Sequence, residues 1–323
     1  MKRILTTLLA LLMLLSAVSC GKPAVTSDGF TVVCTTFPLY DFTRNIVGDA
    51  AGVTVKLLME NGSDLHNFQP SAAQILEIQN ADLFIYNGGE SDEWVEDLNL
   101  SDVASCAAVT LCETLVEEDV EGAQHEEHDH GDHEEDEEHE EDEEHEEEID
   151  EHVWLSLLRA AEITNGIRDA LCTLDAPHAD AYRENARAYA ARLTALEADY
   201  REKLSTTGER VFVVCDRFPF RYLAEDYGLH CFAAFSGCSA ESEASFETIL
   251  NLANALTTYK LDRVYVLENS DKKIAEAVIA ASTQKDAEIA ELNSMQSVTA
   301  RDVENGATYL TIAQKNLEIL SAD

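Results

Sequence analysis

The heptapeptide Val32-Val33-Cys34-Thr35-Thr36-Phe37-Pro38 recurs in the second half of the chain as Val213-Val214-Cys215-Asp216-Arg217-Phe218-Pro219. In each copy a short apolar, β-rich run leads into a Phe-Pro pair, which is the pattern of a strand followed by a turn and a helix. We therefore expect each half of the chain to begin with the same strand-turn-helix unit.

A long helical pattern separates the two copies. Pro177 stands near its start and Gly208 stands past its end, as is usual at helix boundaries. The predicted helix occupies residues 176–207 and is roughly 40 Å long. Between these limits apolar residues recur every three or four positions, at Tyr182, Ala186, Tyr189, Leu193, Leu196, Tyr200 and Leu204.

Short runs that favour strands alternate with helical patterns on both sides of this helix. They lie at residues 30–35, 53–58, 83–86, 107–111, 211–214, 231–235, 263–267 and 287–292. The alternation predicts an α/β fold with two similar lobes, each a parallel sheet flanked by helices. The N-terminal lobe spans 30–175 and the C-terminal lobe 208–323, and the long, rigid backbone helix joins them. Since ligands bind beyond the carboxyl ends of parallel strands, we expect the site in the cleft between the lobes.

The charge of the chain is concentrated in one block. The sequence has 63 acidic and 22 basic residues, for a net charge of −41, and 23 of the acidic residues lie within 117–151. No Lys or Arg occurs between Lys56 and Arg159. A chain with this charge and no basic patch is repelled by phosphate backbones, which argues against nucleic acid as a partner and favours cations.

Histidines are interspersed in this acidic block, the loop 117–149. The hexapeptide His-Glu-Glu-Asp-Glu-Glu occurs there twice in succession, and such residues cannot form a core. Imidazole binds zinc, copper and nickel, so we expect a disordered, multidentate collector of divalent cations, with a merely solvated acidic loop as the alternative. Six imidazoles are available, from His125, His128, His130, His133, His139 and His145.

The N-terminus has the features of an export signal. Lys2 and Arg3 precede an apolar run too short to span a membrane, and small residues then lead to Cys20. We expect a signal peptide at 1–19, lipid attachment at Cys20 and a tether at 20–29, with ordinary signal cleavage as the alternative.

The other cysteines leave the redox state open. Cys106 with Cys112, or Cys231 with Cys238, could close a short disulfide loop, and buried free thiols are the alternative.

Two histidines outside the acidic block share an unusual setting. His66 lies between Asp64 and Phe68, and His152 lies between Asp150 and Trp154, each with the acid two residues before and the aromatic two residues after. A nearby carboxylate orients an imidazole and raises its basicity, as a metal ligand requires. A histidine with a purely structural role is the alternative for either one taken singly.

With these motifs the chain resembles the zinc- and manganese-binding solute-binding lipoproteins of bacterial ABC importers, in the zinc-uptake branch of the metal-binding cluster A-I type. The resemblance covers the mature chain and rests on the order of its motifs. These are the two Asp-x-His segments, the acidic His-rich loop, the long helix, the Tyr-x-x-x-x-Tyr-Gly-Leu run at 222–229 and the Gly-Ala-Thr-Tyr-Leu segment at 306–310. The resemblance implies two α/β lobes with one metal ion at their interface.

The resemblance also implies the ligands. His66 and His152 match the first two, Asp216 is the nearest match to the third, and Glu268, Asn293 or a loop histidine are in reserve. Two imidazoles and one carboxylate suit tetrahedral zinc, whereas manganese favours more oxygen ligands, so zinc is preferred over manganese.

The implied function is capture of Zn²⁺ outside the cytoplasm by a monomeric, lipid-anchored protein that is not an enzyme. Its partners would be a membrane permease and a cytoplasmic ATPase, and the ATPase must be another chain because no P-loop occurs here. Two alternatives remain open: an extracytoplasmic metallohydrolase with Glu151 or Glu268 as general base, and a surface metal buffer or adhesin without a transporter.

Overall fold

The computed structural model describes residues 29–118, 120–123, 148–205, 210–237 and 243–322. Within them, two four-stranded sheets form the centres of the two lobes. The first sheet contains β1 (Phe30–Cys34), β2 (Val53–Leu57), β3 (Leu83–Tyr86) and β4 (Ala104–Ala107). The second contains β5 (Arg210–Arg217), β6 (Leu229–Phe235), β7 (Arg263–Leu267) and β8 (Glu288–Leu292).

The two sheets have the same topology. The strand orders are β2-β1-β3-β4 and β6-β5-β7-β8, and all neighbouring strands are parallel. This confirms the predicted α/β class with two similar lobes. The helices are α1 (Phe37–Val47), α2 (Ala72–Gln79), α3 (Leu157–Leu174), α4 (Ala179–Leu204), α5 (Arg221–Tyr227), α6 (Phe246–Thr258), α7 (Lys273–Ala281), α8 (Ala300–Glu304) and α9 (Tyr309–Leu320).

The repeated heptapeptide occupies corresponding places in the two lobes. In the first copy Phe37 and Pro38 begin α1, whereas in the second copy β5 continues to Arg217 and α5 begins only at Arg221. The second copy therefore has a longer strand and a longer turn before its helix, and this difference lies at the cleft.

The fourth strand differs from the prediction. Residues 107–111 were expected to form it, but β4 is Ala104–Ala107, and Ala108–Leu111 form a 3₁₀ turn. Leu111 packs so closely on Gly166 of α3 that a Cβ at Gly166 would lie 2.7 Å from a Leu111 methyl carbon. The apolar character of 108–111 thus serves helix packing, and the small residues of 104–107 pair with β3.

The long helix α4 matches the sequence pattern. All seven predicted apolar positions, from Tyr182 to Leu204, are buried. Its 26 residues correspond to about 39 Å of length, enough to contact both lobes.

Hydrogen bonds fix α4 to both lobes. The Tyr189 hydroxyl donates to Asp41 of α1 at 3.0 Å, and the Tyr200 hydroxyl donates to the Ala313 carbonyl of α9 at 2.6 Å. Asp41 also accepts from the backbone N–H of Tyr309, at the start of α9, at 3.2 Å. Burial raises the pKa of Asp41, although these donors oppose the shift. The last helix thus returns to the first lobe at a buried carboxyl.

The structure also bears on the cysteines and on membrane-spanning helices. Cys106 and Cys112 are free thiols, so they do not close a disulfide loop, whereas Cys238 lies outside the described residues. Across the described ranges, no helix is both long enough and apolar enough to cross a membrane.

Replacing Tyr189 with Phe removes the hydroxyl that donates to Asp41 and keeps the ring in place. We expect the free energy of unfolding to fall by about 1–3 kcal/mol, because a buried acceptor loses a donor that water cannot replace. Urea unfolding measures this. Tyr259→Phe is the control, at a side chain that is 39% exposed, and should change the same quantity by less than about 0.5 kcal/mol. Equal effects in the two variants would contradict the role given to the Asp41 contact.

Candidate metal centre

His66 lies on a 3₁₀ turn, Leu65–Asn67, in the connection that follows β2. Asp64 caps this turn, and its Oδ1 accepts the backbone N–H of His66 at 3.1 Å. The His66 Nδ1 is 2.9 Å from the Ser91 Oγ and 3.1 Å from the Glu151 Oε1. One side of the imidazole is therefore held by a hydroxyl and a carboxylate.

His152 immediately precedes the 3₁₀ turn Val153–Leu155, and its side chain is completely buried. Asp150 Oδ1 contacts both its backbone nitrogen, at 2.8 Å, and its Nδ1, at 3.0 Å. The Trp154 ring lies 5.3 Å from the imidazole, as the sequence motif suggests. Phe68 instead packs on Trp94, at 6.0 Å between centroids, so the aromatic residue of the first motif supports the loop.

The structure brings the two predicted histidines together. Their ring centroids are 5.3 Å apart. The Nε2 atoms of both are buried and have no hydrogen-bond partner among the described residues. An Nδ1–H held by a carboxylate leaves the Nε2 lone pair available, which is the arrangement of histidines that bind a metal through Nε2.

The buried carboxylates shift the acid–base properties of the pair. Burial disfavours the charged form of His152, but the charge and hydrogen bond of Asp150 outweigh it and raise the pKa of this imidazole. Burial opposes ionisation of Glu151 as well, yet the hydrogen bond from His66 and the nearby imidazoles hold the pKa of this carboxyl below its usual range. A carboxylate therefore stands behind each imidazole.

A glycine-containing turn after β3 positions Glu151. Gly89 has φ of +88°, and a Cβ there would lie 2.7 Å from the Glu151 carboxylate, so only glycine allows this approach. Asn87 donates from its side chain to the Glu151 carbonyl at 2.8 Å. Asp92, whose pKa burial raises to about 6, closes the turn by accepting the backbone N–H groups of Asn87 and Gly88.

The second lobe holds the His152 segment in place. The Tyr222 hydroxyl donates to the Asp150 carbonyl at 2.5 Å, and the Tyr309 hydroxyl donates to the Trp154 carbonyl at 2.5 Å. In return the Trp154 indole N–H donates to the Ser294 carbonyl at 2.9 Å. His152 therefore belongs to the first lobe in sequence but is fixed by the second.

Gly237, two residues after β6, lies against His152 from the second lobe. A Cβ on Gly237 would lie 3.2 Å from His152 Cε1 and 3.0 Å from the Phe218 carbonyl oxygen. The site is thus closed on this side by the backbone of the second lobe.

Asp216 is not joined to the two histidines. Its Oδ2 accepts the Leu267 backbone N–H at 3.4 Å, which ties β5 to β7. The described part of the chain contains no group of three His, Cys, Asp or Glu side chains that could hold a metal. The assignment of Asp216 as third ligand therefore stays a prediction.

The reserve residues also have partners. The two carboxylate oxygens of Glu268 accept the backbone N–H and the hydroxyl of Ser294, both at 2.7 Å. Asn293 accepts the Met295 backbone N–H at 2.8 Å. These contacts shape the loop that receives the Trp154 indole N–H.

The predicted collector and anchor lie outside the described residues, but the ends of the loop are described. Val116 and Ile149 form an antiparallel bridge, and the Glu117 N–H donates to the Glu148 carbonyl at 2.8 Å. The loop therefore starts and ends at one point, two residues from Glu151. The predicted residues not described are His125, His128, His130, His133, His139, His145 and Cys20.

Two contacts of the site were not predicted from the sequence. Ser91 joins His66 to Glu151, and the only local signal for it was the Gly-Gly pair that precedes it. Arg217 of β5 donates to Asp64, the residue that caps the His66 turn. Its neighbour Asp216 drew attention to this strand end, but nothing in the sequence pairs Arg217 with Asp64.

Curated relatives agree in sequence along nearly the whole chain. It is 33% identical over 322 residues to the zinc-binding lipoprotein AdcA of Streptococcus pneumoniae serotype 4, covering 99% of this chain and 60% of that protein. It is 29% identical to the high-affinity zinc uptake system protein ZnuA of Bacillus subtilis, covering 93% of this chain and 89% of that one. The chain thus spans about 60% of the length of the AdcA relatives.

Solved structures of other proteins match this chain in fold. The Zn(II)-bound ZnuA-like domain of S. pneumoniae AdcA superposes with a TM-score of 0.69 at 28% identity, covering 91% of this chain and 98% of that domain. The laminin-binding protein Lmb of Streptococcus agalactiae, described as a bifunctional protein with adhesin and metal transporting activity, has the same fold. Its TM-score is 0.72 at 24% identity, covering 91% of this chain and 98% of that one.

The family model with the description "Zinc-uptake complex component A periplasmic" matches residues 32–322. That match includes both lobes, the connecting helix and both buried histidines. Its description is that of an extracytoplasmic transport component and not of an enzyme. The chain therefore belongs to the family of periplasmic zinc-uptake complex components A.

Proposed function

We propose that this chain is the solute-binding lipoprotein of an ABC importer and captures Zn²⁺ at His66 and His152. The observation that carries the proposal is the pair of buried imidazoles whose Nδ1 atoms contact carboxylates and whose Nε2 atoms are left without a partner among the described residues. Such a pair needs a ligand, because an unsatisfied buried polar atom is unfavourable.

Zinc suits this pair better than manganese. Imidazole nitrogen is a preferred zinc ligand, and manganese prefers sites richer in oxygen. Asp216 is the third ligand under this proposal, with Glu268, Asn293 or a loop histidine in reserve. The zinc named for the relatives supports the same choice.

The acidic loop assists the capture of zinc. Its two ends lie beside a cavity of about 340 Å³ whose lining includes Glu117, Asp150, His230 and Gly237. Asp150 and Gly237 both lie against His152. We expect the six imidazoles in the segment between these ends to raise the local concentration of zinc.

We also propose where the protein lies and which proteins it works with. It lies outside the cytoplasm as a monomer, is attached to the membrane by lipid on Cys20, and hands zinc to a permease that a cytoplasmic ATPase drives. The expected domain limits apply, with a signal peptide at 1–19, a tether at 20–29, lobes at 30–175 and 208–323, and the connecting helix at 176–207.

The structure gives no support to the hydrolase alternative. Glu151 accepts from Ser91 and faces the His66 imidazole, and both oxygens of Glu268 accept from Ser294. A general base needs an oxygen within hydrogen-bond reach of the proton that it abstracts. Both candidate bases are used instead to position other residues.

The two histidines can be tested directly. We expect purified metal-free protein to bind one Zn²⁺ tightly in competition with a chelator of known affinity. His66→Ala and His152→Ala should each weaken this site by at least about a hundredfold, because each removes one of very few metal ligands. The double variant should lose the site.

His178→Ala is the matched control. His178 pairs with Asp175 at 2.7 Å on the turn before α4, so its loss leaves the cleft unchanged. Tight zinc binding by the double variant, or an equal loss in His178→Ala, would overturn the assignment.

Deletion of residues 124–147 tests the collector. The antiparallel bridge at Val116 and Ile149 lies outside the deleted segment and is retained. We expect the tight site to keep its affinity within about threefold, while the weaker sites disappear from the titration and capture at submicromolar zinc becomes slower. Loss of the tight site would mean that a loop histidine is one of its ligands.

A further inference from the structure

Arg217 reaches from the second lobe to the loop that carries His66. It is the last residue of β5, and its Nη2 donates to Asp64 Oδ2. Asp64 Oδ1 in turn accepts the backbone N–H of His66. One carboxylate therefore links a second-lobe cation to the turn of a first-lobe ligand, in a contact between residues 153 positions apart in sequence.

An irregularity in β5 places Arg217 for this contact. Val214 pairs with Ala233 but Arg217 pairs with Phe235, so one extra residue is accommodated in β5 between them. A bulge of this kind redirects the side chains that follow it. β5 also continues two residues beyond the position that matches Cys34, the end of β1.

The residue after Arg217 is linked to the other histidine through Gly237. The Phe218 carbonyl lies against Gly237, and Gly237 lies against His152. This strand end is therefore connected to both ligands, to His66 through Asp64 and to His152 through Gly237.

The Arg217–Asp64 ion pair is partly shielded from water. The Arg217 and Asp64 side chains are only 22% and 28% exposed, so water screens their attraction less than it does for a fully exposed pair. A second arginine, Arg221, also reaches the first lobe, where it pairs with Glu118 at 3.0 Å, but Glu118 lies at the start of the acidic loop. Of these two pairs, Arg217–Asp64 acts on a ligand turn.

We propose that Arg217 is an interlobe positioning residue that holds the His66 turn, through Asp64, at the place where His66 and His152 can share one zinc ion. The inference rests on the proposed zinc site. By holding the His66 turn in place, this contact reduces the ordering that zinc binding requires and slows any release of zinc that needs the lobes to separate.

Arg217→Gln tests the role, with zinc affinity and zinc release rate as readouts. We expect affinity about three- to tenfold weaker and chelator-induced release faster by a similar factor, as for loss of a partly exposed charge-assisted hydrogen bond. Arg217→Lys keeps the charge and should stay within about threefold of the parent.

Arg183→Gln is the control for net charge. It removes one positive charge from α4, where Arg183 pairs with the exposed Asp180, and should leave affinity unchanged. Unchanged zinc affinity in Arg217→Gln, tighter binding, or a loss equal to that in Arg183→Gln would overturn the proposal.

A double-mutant cycle identifies the partner. Asp64→Asn keeps an oxygen to accept the His66 N–H but loses the charge that pairs with Arg217. We expect the Asp64→Asn variant to lose as much zinc affinity as Arg217→Gln. The variant with both substitutions should lose no more than either single variant, because each substitution alone already breaks the pair. Additive losses would overturn the link through Asp64.

Two further readouts separate positioning from other effects. The absorption spectrum of the Co²⁺-substituted protein should keep its form in Arg217→Gln, since no ligand is removed, and thermal unfolding of the metal-free protein should change little. A new Co²⁺ spectrum would make Arg217 part of the coordination geometry and overturn the positioning role. Absence of tight zinc binding in the parent protein would instead refute the proposed function itself.

Discussion

The hydrogen bonds that fix the segment around Trp154 between the two lobes are the contacts on which the rest of the structure depends. Tyr222 and Tyr309 donate to its carbonyls, and its indole N–H donates to the second lobe. Both hydroxyls and the indole are buried, so separating the lobes would break three buried hydrogen bonds and expose apolar ring surface to water. The carboxyl ends of both sheets are consequently held face to face, with His152 between them.

Negative charge has different uses in different parts of the chain. The loop 117–149 is rich in carboxylates and has no Lys or Arg, so it attracts cations at long range. At the cleft the carboxylates of Asp150 and Glu151 are buried, and each contacts the Nδ1 of an imidazole. Asp64 has a third use, because it meets a cation from the opposite lobe. Carboxylates thus have three uses in this chain: they attract cations, orient the two imidazoles and link the lobes.

Much of the fold could be predicted from the sequence. The repeated heptapeptide predicts two similar sheets, and the apolar spacing of α4 predicts all seven of its buried positions. These features depend on local periodicity, which is visible in a single chain. The fourth strand was misplaced because the run 108–111 is as apolar as a strand, and only its packing on α3 distinguishes it from one. His66 and His152 were identified by local motifs, and the structure places their rings together.

The sequence by itself determined the parts of this protein that composition and spacing encode: the lobes, the helix between them, the acidic loop and the two histidines. The tertiary structure alone decided how those histidines are held, because Ser91, Glu151, Tyr222 and Arg217 reach the site across long stretches of chain. Hydrogen bonds of this kind depend on distances between segments remote in sequence, and no local pattern specifies such distances. The same reason keeps the second-lobe ligand a prediction, since Asp216 has the right chemistry and strand position but its carboxylate contacts the backbone of β7.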